Sequence, residues 1–366
     1  MRRKEARGRG TGSPLACRAE MPPTPPTLYR AKAPLRIGLA GGGTDVSPYA
    51  DDFGGAILNA AVGLFATATL EPRDDGRVVL DSRDLGERDD VPLAGELPLD
   101  GRLDLLKGVY NRVVRDRGPV PAGFTLVTEV DAPKGSGLGT SSTLTVAVLA
   151  AFAEWLALPL GEYDLAHLAY EIEREDLAMS GGRQDHYAAT FGGVNFMEFS
   201  AGDKVIVNPL RVRRELLAEL EHNLLLYYTG TSRLSAAIID RQVEAFAASE
   251  AASLAAAHAL KRQAVDMKEA LLTGRLAAIG PLLDRGWHHK KRMAPGITSA
   301  AIDELYAAAL AAGATGGKIS GAGGGGFLTV YCPGTTRHAV AEALAGFGGE
   351  VRPFTFAAEG VVGWRA

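Results

Sequence analysis

The chain has 366 residues with 39 Lys plus Arg against 43 Asp plus Glu, a net charge of −4 that gives no support to wholesale nucleic-acid binding. At 46% hydrophobic and 22% charged it has ample apolar surface for two domains or one large α/β unit. Its two cysteines, Cys17 and Cys332, exclude a disulfide framework and a four-thiolate metal site. No apolar run reaches the ~18–20 residues of a membrane span.

Residues 1–27 combine a basic start with the run Pro22-Pro23-Thr24-Pro25-Pro26. No apolar stretch follows the basic residues, so the segment reads as a disordered tail and not as an export signal. Met21 is a second candidate start, and the expected location is cytoplasmic. From Leu35 the pattern becomes regular. Residues 35–40, 56–70, 77–81 and 124–130 read as strands. Leu103, Leu106, Tyr110, Val113 and Val114 recur at helical spacing, and 141–156 is a long Ala/Val/Leu helix. Leu165, Leu168, Ala169 and Ile172 mark a further helix, 194–199 a strand, and 204–208 the crossing to a second unit. That unit opens on a strand at 223–228, continues through Ala-rich helices interrupted at Gly274 and Gly296, and ends in strands at Ile319, 327–331 and 350–354 around a helix at 339–345. The mixed order predicts an α+β architecture.

Glycine makes up 45 of the 366 residues, about 12% against a usual ~7%. Much of it lies in three short segments. In the second, Lys134-Gly135-Ser136-Gly137-Leu138-Gly139-Thr140-Ser141-Ser142, a glycine loop joins a strand to an apolar helix. The free N–H groups and positive dipole end of that helix suit a phosphate. No Lys follows the last glycine, so this is not a Walker A loop, and the glycine spacing is wrong for a dinucleotide fingerprint. The plainer alternative is a helix capped by Thr140 or Ser141. The first segment, from Arg36 through Gly41-Gly42-Gly43-Thr44-Asp45, ends a strand in a glycine turn that carries a carboxylate. The third, from Lys318 through Gly323 and Gly324 to Phe327, is costly to order unless it closes on something.

The three segments, in this order and spacing, resemble the motifs of the GHMP small-molecule kinases, over the chain from about Tyr29 to Ala366. Within that family, Gly41–Asp45 departs from the galactokinase pattern and resembles the sugar-phosphate branch. The stretch 151–199, with Tyr170-Glu171-Ile172-Glu173-Arg174-Glu175-Asp176 and Gly192-Gly193-Val194-Asn195-Phe196, resembles the D-glycero-D-manno-heptose 7-phosphate kinases. The resemblance implies an N-terminal domain at 28–208 like domain 2 of ribosomal protein S5, and a ferredoxin-like C-terminal domain at 209–366. It implies ATP and Mg²⁺ as cofactors and a small sugar phosphate as acceptor, with neither nucleic acid nor membrane as partner.

Residue by residue, the resemblance lays the ATP phosphates on Lys134 to Ser142 and makes Ser141 a metal ligand. Glu173 is the second metal ligand, with Asp176 as its runner-up, since Mg²⁺ takes a few hard oxygens besides phosphate and water. Asp185 matches the position that accepts the proton of the attacked hydroxyl, with capping of the following helix as the plainer alternative. Arg36 offsets charge near the γ-phosphate, and Lys318 with its glycines closes over the phosphates. Gly43, Thr44, Asp45, Gly323 and Gly324 fall on the substrate side. A sugar phosphate also needs cations outside the ATP site, for which Arg183, Arg233 and the run Lys290-Lys291-Arg292 are candidates. His186 and His288-His289 read as surface or packing residues, and Cys332 as a small core residue. A kinase for another sugar such as fucose, and a ligand sensor without turnover, are the competing readings.

Overall fold

The computed structural model describes residues 27–231 and 235–366. The expected tail at 1–27 therefore lies almost wholly outside the described residues, as does Arg233. In chain order the first part comprises β1 (Tyr29–Ala40), α1 (Tyr49–Phe53), β2 (Gly55–Arg73), β3 (Arg77–Ser82), β4 (Glu87–Pro92), α2 (Asp104–Arg117), β5 (Gly123–Val130) and α3 (Thr140–Leu156). It continues through α4 (Glu162–Glu171), a π-turn (Ile172–Asp176), α5 (Gln184–Phe191), β6 (Val194–Ser200) and β7 (Lys204–Pro209). The second part holds α6 (Arg214–Asn223), β8 (Leu224–Tyr228), α7 (Ser235–Ala247), α8 (Ala251–Leu272) and α9 (Ile279–Lys290). It closes with α10 (Ala300–Ala311), β9 (Gly316–Ile319), β10 (Phe327–Tyr331), α11 (Arg337–Ala345), β11 (Glu350–Arg352) and β12 (Val362–Arg365).

An eight-stranded sheet runs β12-β1-β2-β5-β3-β4, with β6 on β2 and β7 beyond it. Its pairs are antiparallel except β3 with β5. The 19 residues of β2 organise it. The first half pairs with β6, the second with β5, and β1 follows along the other edge. Val205 and Val207 point inward while Lys204 and Ile206 face solvent, so residues expected to cross to the second unit form an edge strand instead. The final strand β12 likewise returns to the first sheet and pairs with β1, which ties the chain's end to its beginning. The second sheet is antiparallel in the order β11-β8-β10-β9, the strand order of a ferredoxin-like layer.

One face of the large sheet packs on α2, α3 and α4 through Leu80, Tyr110, Phe124, Val148 and Phe152. Truncating a phenylalanine such as Phe124 here is expected to cost ~3–5 kcal/mol. A second core, with Ile37, Leu58, Leu226, Met267 and Leu283, fuses β1 and β2 to β8, α8 and α9. The two sheets thus share buried side chains, and the groove between them is set by packing. The glycine segments end β1, precede α3 and precede β10, and all three converge on that groove.

Candidate active site

The turn after β1 requires glycine at its first position. Gly41 has φ +79°, and a Cβ there would lie 1.9 Å from the carbonyl oxygen of Ala56. The Thr44 hydroxyl pins the turn by donating to the Gly41 oxygen at 2.9 Å. In the second loop Gly137 has φ +85°, and its Cβ position falls 2.4 Å from the oxygen of Ser320. The third glycine segment therefore lies directly against the second, a contact secured by the Phe327 N–H on the Ser136 oxygen at 3.0 Å.

The three loops border a cavity of about 630 Å³, a size suited to a small molecule. Helix α3 opens on Gly139 in a left-handed conformation, and no side chain caps it. Neither Thr140 nor Ser141 fills the capping role, so the first N–H groups of this 17-residue helix are offered to the cavity. Lys134, Gly135, Gly137, Gly139, Thr140, Ser141 and Ser142 line it, while Ser136 and Leu138 are buried behind.

Asp185 does not cap α5, whose N-cap is Arg183. Its Oδ1 accepts Arg36 Nε at 2.6 Å, and Arg36 Nη1 donates to the Gly137 oxygen at 2.6 Å. Arg36 is only 3% exposed. One guanidinium thereby fixes the carboxylate against the glycine loop, where the Oδ2 atom lies 3.2 Å from the Cβ position of Gly139. No hydrogen bond among the described residues uses Oδ2, which leaves that oxygen to receive a proton.

Glu173 projects from the π-turn and is fully buried. Its Oε2 accepts the Ser142 hydroxyl and meets His186 Nε2, each at 2.6 Å, with Arg174 Nη2 at 3.4 Å. Burial alone would raise the Glu173 pKa; Arg174, His186 and the Ser142 hydroxyl outweigh it and hold the carboxyl down at about 2. Ser142, not Ser141, touches Glu173, and His186 is a buried partner of that carboxylate. Asp176 points away and is held by Arg112 and Arg115 at 3.2 and 2.8 Å.

At the first glycine turn Asp45 is buried and its Oδ2 accepts the Gln184 N–H at 3.1 Å, so it sits one residue from Asp185 in the same frame. Lys290 Nζ reaches across to the Gly42 oxygen and to Gln242 Oε1, both at 3.1 Å. Lys318 Nζ donates to the Gly38 oxygen at 2.8 Å. Burial pushes Lys290 down to about 8 against the opposing pull of Asp45, and burial with the charges of Lys290 and Arg36 pushes Lys318 to about 7.

Several expected residues are placed elsewhere. Arg183 is buried away from the cavity, bonded to Asp51 and Asp203 at 2.9 Å each and to the Ser200 oxygen. Those carboxylates already neutralise it, so it is not placed to hold a substrate anion. Gly323 and Gly324 pack on Ile297 and do not line the cavity. Lys291 pairs with Asp303 at 3.2 Å. Conversely Gln242, Ile239, Met179 and Ser180 line the cavity without having been singled out. Gln242 stands amid an Ala-rich helix, and nothing in its neighbours along the chain marks it.

A buried Arg–Asp pair facing an uncapped helix end and a glycine loop defines a small-molecule phosphotransferase. Residues 104–193 match the GHMP kinases N terminal domain and 267–349 the GHMP kinases C terminal model. The chain is 45% identical to the D-glycero-alpha-D-manno-heptose 7-phosphate kinase of Campylobacter jejuni, over 92% of this chain and 98% of that one. The crystal structure of a D-glycero-D-manno-heptose 1-phosphate kinase from Bacteroides thetaiotaomicron superposes with a TM-score of 0.78 at 44% identity, covering 92% and 98% of the two chains. Lactococcus lactis galactokinase, at 20% identity and a TM-score of 0.74 over 92% and 95% of the chains, shares the fold. The chain belongs to the GHMP kinase family. Within it, this is an ATP-dependent sugar kinase.

Proposed function

We propose that this kinase transfers the γ-phosphate of ATP to O1 of D-glycero-α-D-manno-heptose 7-phosphate, giving the 1,7-bisphosphate for nucleotide-activated heptose synthesis in the cytoplasm. The observation that carries this reading is the 45% identity, end to end, to a relative named for that substrate. The site supplies the parts. Asp45, Gly43 and the turn that Thr44 pins receive the sugar, a carboxylate being able to accept two hydroxyls. Asp185 Oδ2 takes the O1 proton as O1 bonds to the γ-phosphorus and the bond to the bridging oxygen breaks, releasing ADP. Arg36 holds Asp185 in place and offsets charge on the transferring group, and the α3 N-terminus with the loop from Lys134 cradles the remaining phosphates.

The donor set fits Mg²⁺. Ser141 and Glu173 line the cavity, and Glu173 Oε1 is buried without a partner among the described residues. Two hard oxygens of this kind suit a small divalent cation that keeps phosphate and water as its other ligands. Ser141 and Glu173 would hold the ion, which when bound neutralises charge on the β- and γ-phosphates.

The test is ADP release across a panel of heptose 7-phosphate, free heptose, fucose and galactose. Heptose 7-phosphate is expected to give the highest kcat/KM. Better use of fucose would replace the substrate and leave the kinase standing, and no turnover with any sugar would favour a ligand sensor.

A further inference from the structure

We propose that Lys290 and Gln242 together form the receptor for the phosphate already carried by the acceptor sugar. The inference rests on the phosphosugar reading above and names the side chains that enforce it.

Three observations converge. First, the Gln242 side chain is 1% exposed and its Nε2 has no hydrogen-bond partner among the described residues, yet the residue lines the cavity. The orientation of the amide is fixed by chemistry. Lys290 can only donate, so the atom facing it is Oε1, and the Nε2 donors are left over. A buried donor without a partner is destabilising, a cost that an incoming acceptor removes.

Second, Lys290 is 4% exposed and its two partners, the Gly42 oxygen and Gln242 Oε1, are both neutral. An ammonium has three donors, so one remains for a ligand. No carboxylate lies within ion-pair distance of Lys290 or Lys318 among the described residues. Arg36, by contrast, has Asp185 at 2.6 Å. Asp45 thus faces buried Lys290, while the second buried lysine, Lys318, lies behind the turn on the Gly38 oxygen, so that side of the groove carries excess positive charge. Buried charge of this kind calls for a counter-ion.

Third, the way in is cleared. A Cβ at Gly43 would stand 2.6 Å from Lys290 Nζ and 3.0 Å from Gln242 Oε1. The absent side chain opens this donor pair to the same space that Asp45 borders. The pair lies against Gly42 and Gly43, in the turn that the reading above gives to the acceptor, so it serves the acceptor and not the nucleotide.

Two variants separate this role from a structural one. Lys290→Met keeps the length of the stem and removes a buried charge. Gln242→Glu is nearly isosteric, gives Lys290 an ion-pair partner, and opposes an incoming dianion. Each should raise KM for heptose 7-phosphate by roughly ten- to a hundredfold, while KM for ATP and for free heptose stays within about twofold. Lys291→Met, at the neighbouring lysine paired with Asp303, should change none of these. Binding of heptose 7-phosphate without ATP, followed by calorimetry, should weaken in parallel, and folding is checked by the melting temperature. Equal increases in KM for the phosphorylated and free sugar, or no increase, overturn the receptor and leave the phosphosugar reading intact. Wild-type enzyme that uses free heptose as well as its 7-phosphate overturns both.

Discussion

The two ends of the groove are built on opposite electrostatic plans. At the nucleotide end the buried charges among the described residues have counter-charges beside them: Arg36 with half-buried Asp185, and Glu173 with half-buried Arg174 and with His186. Around the first glycine turn, at the acceptor end, Lys290 and, behind the turn, Lys318 meet only carbonyl and amide oxygens among the described residues. A preorganised, internally neutral end holds catalytic groups in place before any ligand arrives, which is where transition-state stabilisation comes from. An end with excess charge gains most of its stabilisation from the ligand itself, and so discriminates among acceptors.

The largest effect is expected where the nucleotide end is broken at its reacting atom. Asp185→Asn removes the proton acceptor and should lower kcat by ~10²–10⁴ while ATP binding persists, because Gly137 still holds Arg36. Single-turnover phosphoryl transfer and nucleotide titration measure the two separately. Near wild-type turnover would reduce Asp185 to an anchor for Arg36.

Next comes the loop between the ends. Gly137→Ala demands a left-handed alanine, at ~1–2 kcal/mol, and places a methyl 2.4 Å from the Ser320 oxygen. It should lower the melting temperature and weaken ATP binding together, whereas Gly95→Ala, which meets nothing within 4 Å, should do neither. If ATP binding in Gly137→Ala is unchanged, the loop is not the phosphate cradle.

A subtler change sharpens the metal assignment. Glu173→Gln and Ser141→Ala should each raise the Mg²⁺ concentration for half-maximal rate, a neutral amide or a methyl being the poorer ligand. Ser142, whose hydroxyl is spent on Glu173, provides the contrast. A larger shift from Ser142→Ala than from Ser141→Ala would move the ligand role to Ser142.

The backbone of this site was legible in the sequence because glycine runs and the apolar run of the helix that follows them are local. The strand–loop–helix at Ser136 to Ser142 and the turn at Asp45 follow from neighbours along the chain. What was not legible depends on partners distant in sequence. Arg183 reads as a free cation until α1 brings Asp51 to it and the turn between β6 and β7 brings Asp203, so Arg183→Ala should lower the melting temperature and leave KM for the sugar phosphate unchanged. His186 resembles any packing histidine until the π-turn sets Glu173 against it. Lys290 looks like one of three solvated cations, but the register of α9 turns it inward and its neighbours outward. β7 and β12 escaped as strands because an edge strand shows only a short alternation, and the pairing of β12 is decided by the other end of the chain.

The smallest effect tests the charge excess itself, through stability. In the folded state burial holds Lys318 at about 7 and Lys290 at about 8, well below the ordinary lysine value of 10.5 kept in the unfolded chain. Between about pH 7 and 10 the unfolded state therefore binds more protons than the folded one, and stability from these two groups rises with pH across that window. Below about pH 7 both states hold the proton and the cost of burying the charge is present in full. Around Lys318 the facing groups are the Gly38 oxygen, Arg36 and Lys290, and around Lys290 they are Asp45, Gln242 and Lys318. Lys318→Met should thus be more stable than wild type at pH 6.5, with the difference shrinking steadily toward pH 9.5. Urea unfolding at a series of pH values reads this directly, and taking the difference between the two proteins cancels the titration of groups distant from Lys318. Saturating heptose 7-phosphate should flatten the wild-type curve, because a bound dianion favours the protonated lysines. Parallel curves for the two proteins would mean that Lys318 keeps its ordinary titration in the folded state, and that its charge there is as well balanced as those of the nucleotide end.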